Sequence, residues 1–107
     1  MKQDLELKNR VKEILKIVQE LAPGNSVELR IPPYAAIQCV SGSVHKRGTP
    51  PNVVEMSGDT LIELVGNPTD WDQFCHVGRI SASGTNANLK DLFIKVSKLD
   101  SGIRLGM

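Results

Sequence analysis

Cys39, Cys75, His45 and His76 together make up the ligand types of a zinc site, or the thiol and imidazole of a nucleophile–base pair. Their spacing supports neither. Zinc sites usually draw ligands in closely spaced pairs, and the chain has no C-x-x-C or H-x-x-x-H. Cys75 and His76 are neighbours in a segment read as helix, so their side chains diverge by about 100° around its axis and cannot share a proton. The thiols are read as structural, and no metal or cofactor is expected. Asp70 and Asp72 flank Trp71 at the start of that helix, where carboxylates favour the positive end of the backbone dipole without entering a reaction. No catalytic residue is assigned, and the chain is not read as an enzyme.

One charged cluster remains. His45, Lys46 and Arg47 set two fixed positive charges and one titratable group on a turn-rich loop, residues 41–51, braced by Gly42, Gly48 and Pro50-Pro51. Such a cluster could hold a carboxylate or phosphate head group. Three adjacent residues cannot all point at one ligand, however, and exposed charges are common, which favours a solvated basic loop.

Composition narrows the class. A chain of 107 residues supports one domain with one modest core. Its net charge of +1 supplies no field to gather nucleic acid, and Tyr34, Trp71, Phe74 and Phe93 are too few to form stacking platforms. No stretch reaches the length of a membrane span. The N-terminus enters a charged amphipathic pattern rather than the apolar run of a signal peptide, so the chain is read as cytoplasmic. Two cysteines also fit a reducing compartment.

The elements that must position these groups follow from periodicity. Residues 5–22 carry Leu7, Val11, Ile14, Leu15, Val18 and Leu21 at helical spacing, and Pro23-Gly24 ends the helix. Residues 27–31 alternate apolar with charged, and residues 34–40 read as a second strand. The short break between the two makes them an antiparallel pair. Residues 52–56 give a third strand. Ser57 caps a helix bearing Leu61, Ile62, Leu64 and Val65, and Gly66 ends it. Thr69 is expected to cap the next helix, with Trp71, Phe74 and Cys75 on its apolar side and Gly78 at its close. A fourth strand spans residues 79–83, with Ile80 and Ala82 on one face. A last helix carries Leu89, Leu92, Phe93 and Val96 in one stripe, and residues 97–107 show no sustained periodicity and are expected to form a tail.

The joint order of these elements carries a resemblance. Gly78-Arg79-Ile80-Ser81-Ala82-Ser83-Gly84 resembles the Gly-Lys-Leu-Lys-Ile-x-Gly strand of the sterol carrier protein (SCP) domain, a non-specific lipid-transfer family. Residues 86–92 resemble the helix that follows it there. Residues 61–66 and the helix with Asp70 and Phe74 resemble the family's Leu-rich and Ala-Phe helices. VELRIPPYAAIQCV followed by His45-x-Arg47-Gly48-Thr49-Pro50-Pro51-Asn52-Val53-Val54-Glu55 looks closer still to a bacterial SCP-ortholog branch. The resemblance covers roughly residues 26–94. It departs from the family in showing four strands where five are usual. Ser97-Lys98-Leu99, like the terminal peroxisomal tripeptide of eukaryotic members, is here followed by further residues.

The expected fold is therefore α/β (α+β), a single domain with an antiparallel-rich, four- to five-stranded sheet covered by helices. Leu61, Leu64, Val65, Trp71, Phe74, Ile80, Leu89, Leu92 and Phe93 are the candidate apolar pocket. Periodicity alone makes them a close-packed core. The resemblance instead implies a tunnel between helices and sheet, holding a fatty acid, an acyl-coenzyme A or a sterol-like molecule, with the polar end near His45, Lys46 and Arg47. The alternatives are an interaction module of the same fold without an open cavity, or an accessory domain of an enzyme.

Overall fold

The computed structural model describes residues 2–42 and 50–104. His45, Lys46 and Arg47 lie outside these residues. Helix α1 (Lys2–Leu21) is followed by strands β1 (Val27–Ile31), β2 (Ala35–Cys39) and β3 (Asn52–Met56). Helix α2 (Gly58–Gly66), a 3-10 turn at Pro68–Asp70, helix α3 (Trp71–His76), strand β4 (Ile80–Ser83) and helix α4 (Lys90–Arg104) complete the chain.

The four strands form one sheet in the order β2-β1-β3-β4. β1 pairs antiparallel with β2, and β3 with β4, as an antiparallel-rich sheet requires. β1 and β3 run parallel, so the sheet is mixed. The register explains this. β2 ends with Cys39 opposite Val27, and β3 begins with Asn52 opposite the same Val27, so the connection between them returns the chain to the end where β1 starts. Alternation within a strand carries no information about which neighbour it takes, so this pairing was not legible.

Period-2 alternation divides the sheet into two faces. Val27, Leu29, Ile31, Cys39, Val54, Met56 and Ile80 are buried beneath the helices, while Arg30, Glu55, Ala36, Gln38, Ser81 and Ser83 are exposed on the other face. Arg30 lies 2.8 Å from Glu28 and 4.0 Å from Glu55 there. Ala82 shares the parity of Ile80 yet is exposed, because β4 is an edge strand that outruns its helical cover.

Local signals account for most helix ends. Ser57 Oγ accepts from the Thr60 N–H at 3.1 Å and caps α2 as expected. Thr69 does not cap α3. The 3-10 turn at Pro68–Asp70 feeds into that helix instead, and Asp70 stands at the cap without a side-chain bond. α3 closes with the Arg79 N–H donating to the Phe74 carbonyl at 2.8 Å and the Gly78 N–H donating to the Cys75 carbonyl at 3.2 Å, which satisfies carbonyls left open at the helix end.

The C-terminal segment departs most from expectation, since α4 runs through residues 97–104. Its anchor is polar. Asp100 is buried, and the Arg10 guanidinium of α1 donates to both its oxygens, each at 2.7 Å. These hydrogen bonds, more than the accompanying charge attraction, raise the Arg10 pKa above its ordinary value against the opposing effect of burial. A buried carboxylate where an apolar residue would keep the stripe going makes the helix read as a tail.

Candidate ligand-binding cleft

Eight of the nine candidate pocket residues, Leu61, Leu64, Val65, Trp71, Phe74, Ile80, Leu89 and Phe93, belong to one buried apolar cluster, and Leu92 packs against it. The Trp71 and Phe93 rings stack with centroids 6.2 Å apart and planes 24° from parallel. Phe93 is fully buried. The Arg79 guanidinium covers the outer side of Phe74, 4.3 Å from its centroid, and is itself held by the Glu63 carboxylate and Thr60 Oγ1. Apart from Leu89, none of these eight side chains lines the two clefts described below.

Leu89, at the edge of that cluster, and the half-buried Leu92 also look outward. They reach a cleft of about 580 Å³ that Leu21 and Ala22 close at the end of α1 and Val40 and Ser41 close after β2. Thr85, Asn86 and Asn88 of the β4–α4 loop, with Lys95 of α4, complete it. Arg10 meets Asp100 while Leu21 faces Leu89 and Leu92, so α1 and α4 run antiparallel and leave this gap where their ends diverge. The volume falls within the range of small-molecule sites, and the lining is divided evenly between apolar and polar residues. Leu21 is 40% exposed and Leu92 half-buried, which leaves apolar surface facing the opening. A smaller cleft of about 300 Å³, lined by Arg30, Pro32, Pro33, Tyr34, Ala35, Ala36 and Glu55, sits at the β1–β2 turn.

Backbone constraints hold the first wall of the larger cleft. Val40 has a φ of 64°, a conformation rare for a β-branched residue and costly by about 1–2 kcal/mol. Two bonds impose it: its N–H donates to the Ala22 carbonyl at 2.7 Å, and its carbonyl accepts from the Ser26 N–H at 2.9 Å. Gly24 makes the approach possible, since a Cβ there would stand 2.3 Å from the Val40 carbonyl. Strain held in place by its surroundings at a cleft wall is a recurrent property of binding sites.

Asn52 holds the opposite wall. Its buried Nδ2 donates to the Ser26 carbonyl at 2.9 Å, and its Oδ1 accepts from the Asn86 N–H at 2.9 Å. A Cβ at Gly84, where φ is +117°, would stand 2.2 Å from that Oδ1. One side chain therefore joins the start of β1 to the loop that carries Thr85, Asn86 and Asn88. Asn88 Oδ1 in turn accepts from the Lys90 N–H at 3.0 Å and caps α4. Val40, Asn52 and Lys95 were not singled out by sequence reasoning. The available signal was an amide at the first, inward-facing position of a strand whose other inward residues, Val54 and Met56, are apolar, and a lysine three residues beyond Leu92 on the same helix.

The groups first considered for chemistry lie apart from this cleft. Cys39 is buried, and burial pushes its thiol pKa up to about 11. Cys75 is half-buried, and its thiol is also raised, mainly by burial and then by the Asp72 charge. Thiols shifted in this direction are poor nucleophiles. His76 is exposed, and Asp72 pairs with Lys90 at 3.0 Å. Among the described residues no group of three or more His, Cys, Asp or Glu gathers as a metal site, and no helix is long and apolar enough to cross a membrane.

A family model described as bacterial SCP ortholog matches residues 3–94. The chain belongs to the bacterial SCP ortholog family. No curated protein matches it. The SCP match takes in α1 as well as the region from residue 26 onward, so the helix that walls the cleft is part of the family pattern. It stops inside α4, short of Asp100.

Proposed function

We propose that this chain is a non-catalytic carrier that binds a lipid, such as a fatty acid, an acyl-coenzyme A or a sterol-like molecule. Membership of the SCP family suggests an apolar ligand, and one observation supports the reading: the cleft of about 580 Å³ lined by Leu21, Val40, Leu89 and Leu92 together with amide, hydroxyl and ammonium groups. Burying a hydrocarbon chain there gains about 25 cal/mol per Å² of apolar area removed from water. No bond is made or broken, and no cofactor is needed. Native mass spectrometry of freshly purified protein tests this reading. A co-purifying lipid, displaced by added fatty acid, is the expected result; bare protein that also fails to bind a fluorescent fatty acid rejects it.

The burial of eight of the nine candidate pocket residues in one apolar cluster supports a second reading, an interaction module that keeps the fold without a tunnel. The Trp71–Phe93 stack lies within that cluster. Bare protein in the same experiment, together with a stable protein partner, is the outcome that would favour it.

A further inference from the structure

We propose that β4 is a docking edge for a second copy of this chain, paired antiparallel about a two-fold axis at Ala82 so that the two four-stranded sheets become one. The proposal does not depend on the carrier reading. β4 is an outer strand of the sheet, and residues 81–86 are exposed in an unbroken run. An edge strand presents a row of N–H and C=O groups without a strand partner, which proteins commonly blunt with lysine, proline or a covering element. The stretch from Ile80 to Asn86 carries no charge and no proline. The opposite edge of the sheet is engaged, since the Gln38 carbonyl of β2 accepts from Gln19 Nε2 of α1 at 3.5 Å and the Val40 N–H donates to the Ala22 carbonyl at 2.7 Å.

Side chains along β4 favour the chain's own copy as the occupant. With the axis at Ala82, Ser81 of each copy stands opposite Ser83 of the other, so hydroxyl meets hydroxyl on the wet face and no like charges are brought together. A strongly acidic or basic strand would find no opposite charge in this row. The helical side of β4 is also bare: Ala82 is exposed although it shares the parity of Ile80 and pairs with the fully buried Val54. Val77, in the turn that leads from α3 into β4, is 53% exposed. A two-fold axis normal to the sheet keeps both helical layers on one side, so each copy brings its own layer toward this strip. The contact is isologous and closes at two copies. β4 has only four residues, and so short a pairing makes a weak dimer that forms with rising concentration.

Sedimentation velocity over a concentration series, with the wild-type chain, A82K and Q38K, tests the proposal. Ala82 is exposed, so a lysine there reaches water and the fold is kept, as circular dichroism checks. The expected result is a wild-type dimer that A82K weakens at least about tenfold, by setting two ammonium groups at the axis, and that Q38K on the other outer strand leaves intact. Hydrogen exchange of the wild type needs no variant: amide protection within Ser81–Ser83 should rise with protein concentration. A wild-type chain that stays monomeric at about 1 mM would overturn the proposal. So would a dimer that A82K leaves at full strength, or one that forms without added protection in β4.

Discussion

The two faces of α4 serve opposite ends. Phe93 and Val96 point into the sheet-backed interior, where Phe93 meets Trp71 in a close-packed cluster, whereas Leu92 and Lys95 look into an open cleft walled by α1 and two loops. The interior cluster is held mainly by apolar contact, with the Arg79 guanidinium over Phe74 at its edge. The cleft is shaped by buried polar bonds and by a strained backbone at Val40. Apolar side chains on one helix therefore divide into those that fill space and those that leave it open. The difference lies in what faces them, not in their own chemistry.

If that division is correct, substitutions in the interior cost stability, and substitutions in the cleft cost binding. The largest effect is expected for Phe93→Ala, which empties a fully buried ring site and should lower unfolding free energy by about 3–5 kcal/mol in chemical denaturation. Asp100→Ala should cost about 3 kcal/mol by removing both bonds to Arg10, and should fray the C-terminal turns of α4 in hydrogen exchange. Retained protection there would show that the α1–α4 junction does not depend on this pair. Asn52→Ala joins the two regions. It leaves the Ser26 carbonyl and the Asn86 N–H without their partner, at about 2 kcal/mol, and should also weaken ligand binding because the β4–α4 loop loses its tether. Loss of stability with unchanged affinity would mean that the tether does not shape the cleft. Lys95→Met should change stability by less than about 0.5 kcal/mol, as expected for an exposed helical position.

A separate effect, confined to alkaline pH, concerns Cys39. Its thiol titrates near 11 in the folded chain against an ordinary value of 9.0, so the unfolded chain ionises first. The stability contributed by the neutral buried thiol is whole below pH 9 and is lost as pH climbs from about 9 toward 11. Melting curves across that window should fall more steeply for wild type than for Cys39→Ala. Parallel slopes would place Cys39 in a wetter setting than its burial implies.

Elements with apolar periodicity were legible in the sequence: α1, β1, the Ser57 cap of α2 and the stripe on α4 all stand where their residues place them. Features that depend on a distant polar partner were not. The end of α4 rests on an arginine ninety residues away, and the tether between loops rests on an asparagine that reads locally as a strand residue. The cleft was only half legible. Leu89 and Leu92 stood among the candidates because any apolar stripe points to a core, but the cleft they also line requires knowing where α1 ends and which way Val40 turns the chain.

The location of the ligand can be read directly from amide chemical shifts during a titration with dodecanoate. Binding in the α1–α4 cleft predicts saturable shifts at Ala22, Ser41, Asn86, Asn88, Leu92 and Lys95, with the Trp71 indole N–H unmoved. Shifts centred on Trp71, Phe74 and Leu64, with the cleft residues silent, would place the ligand in the interior and contradict the division drawn between the two faces of α4.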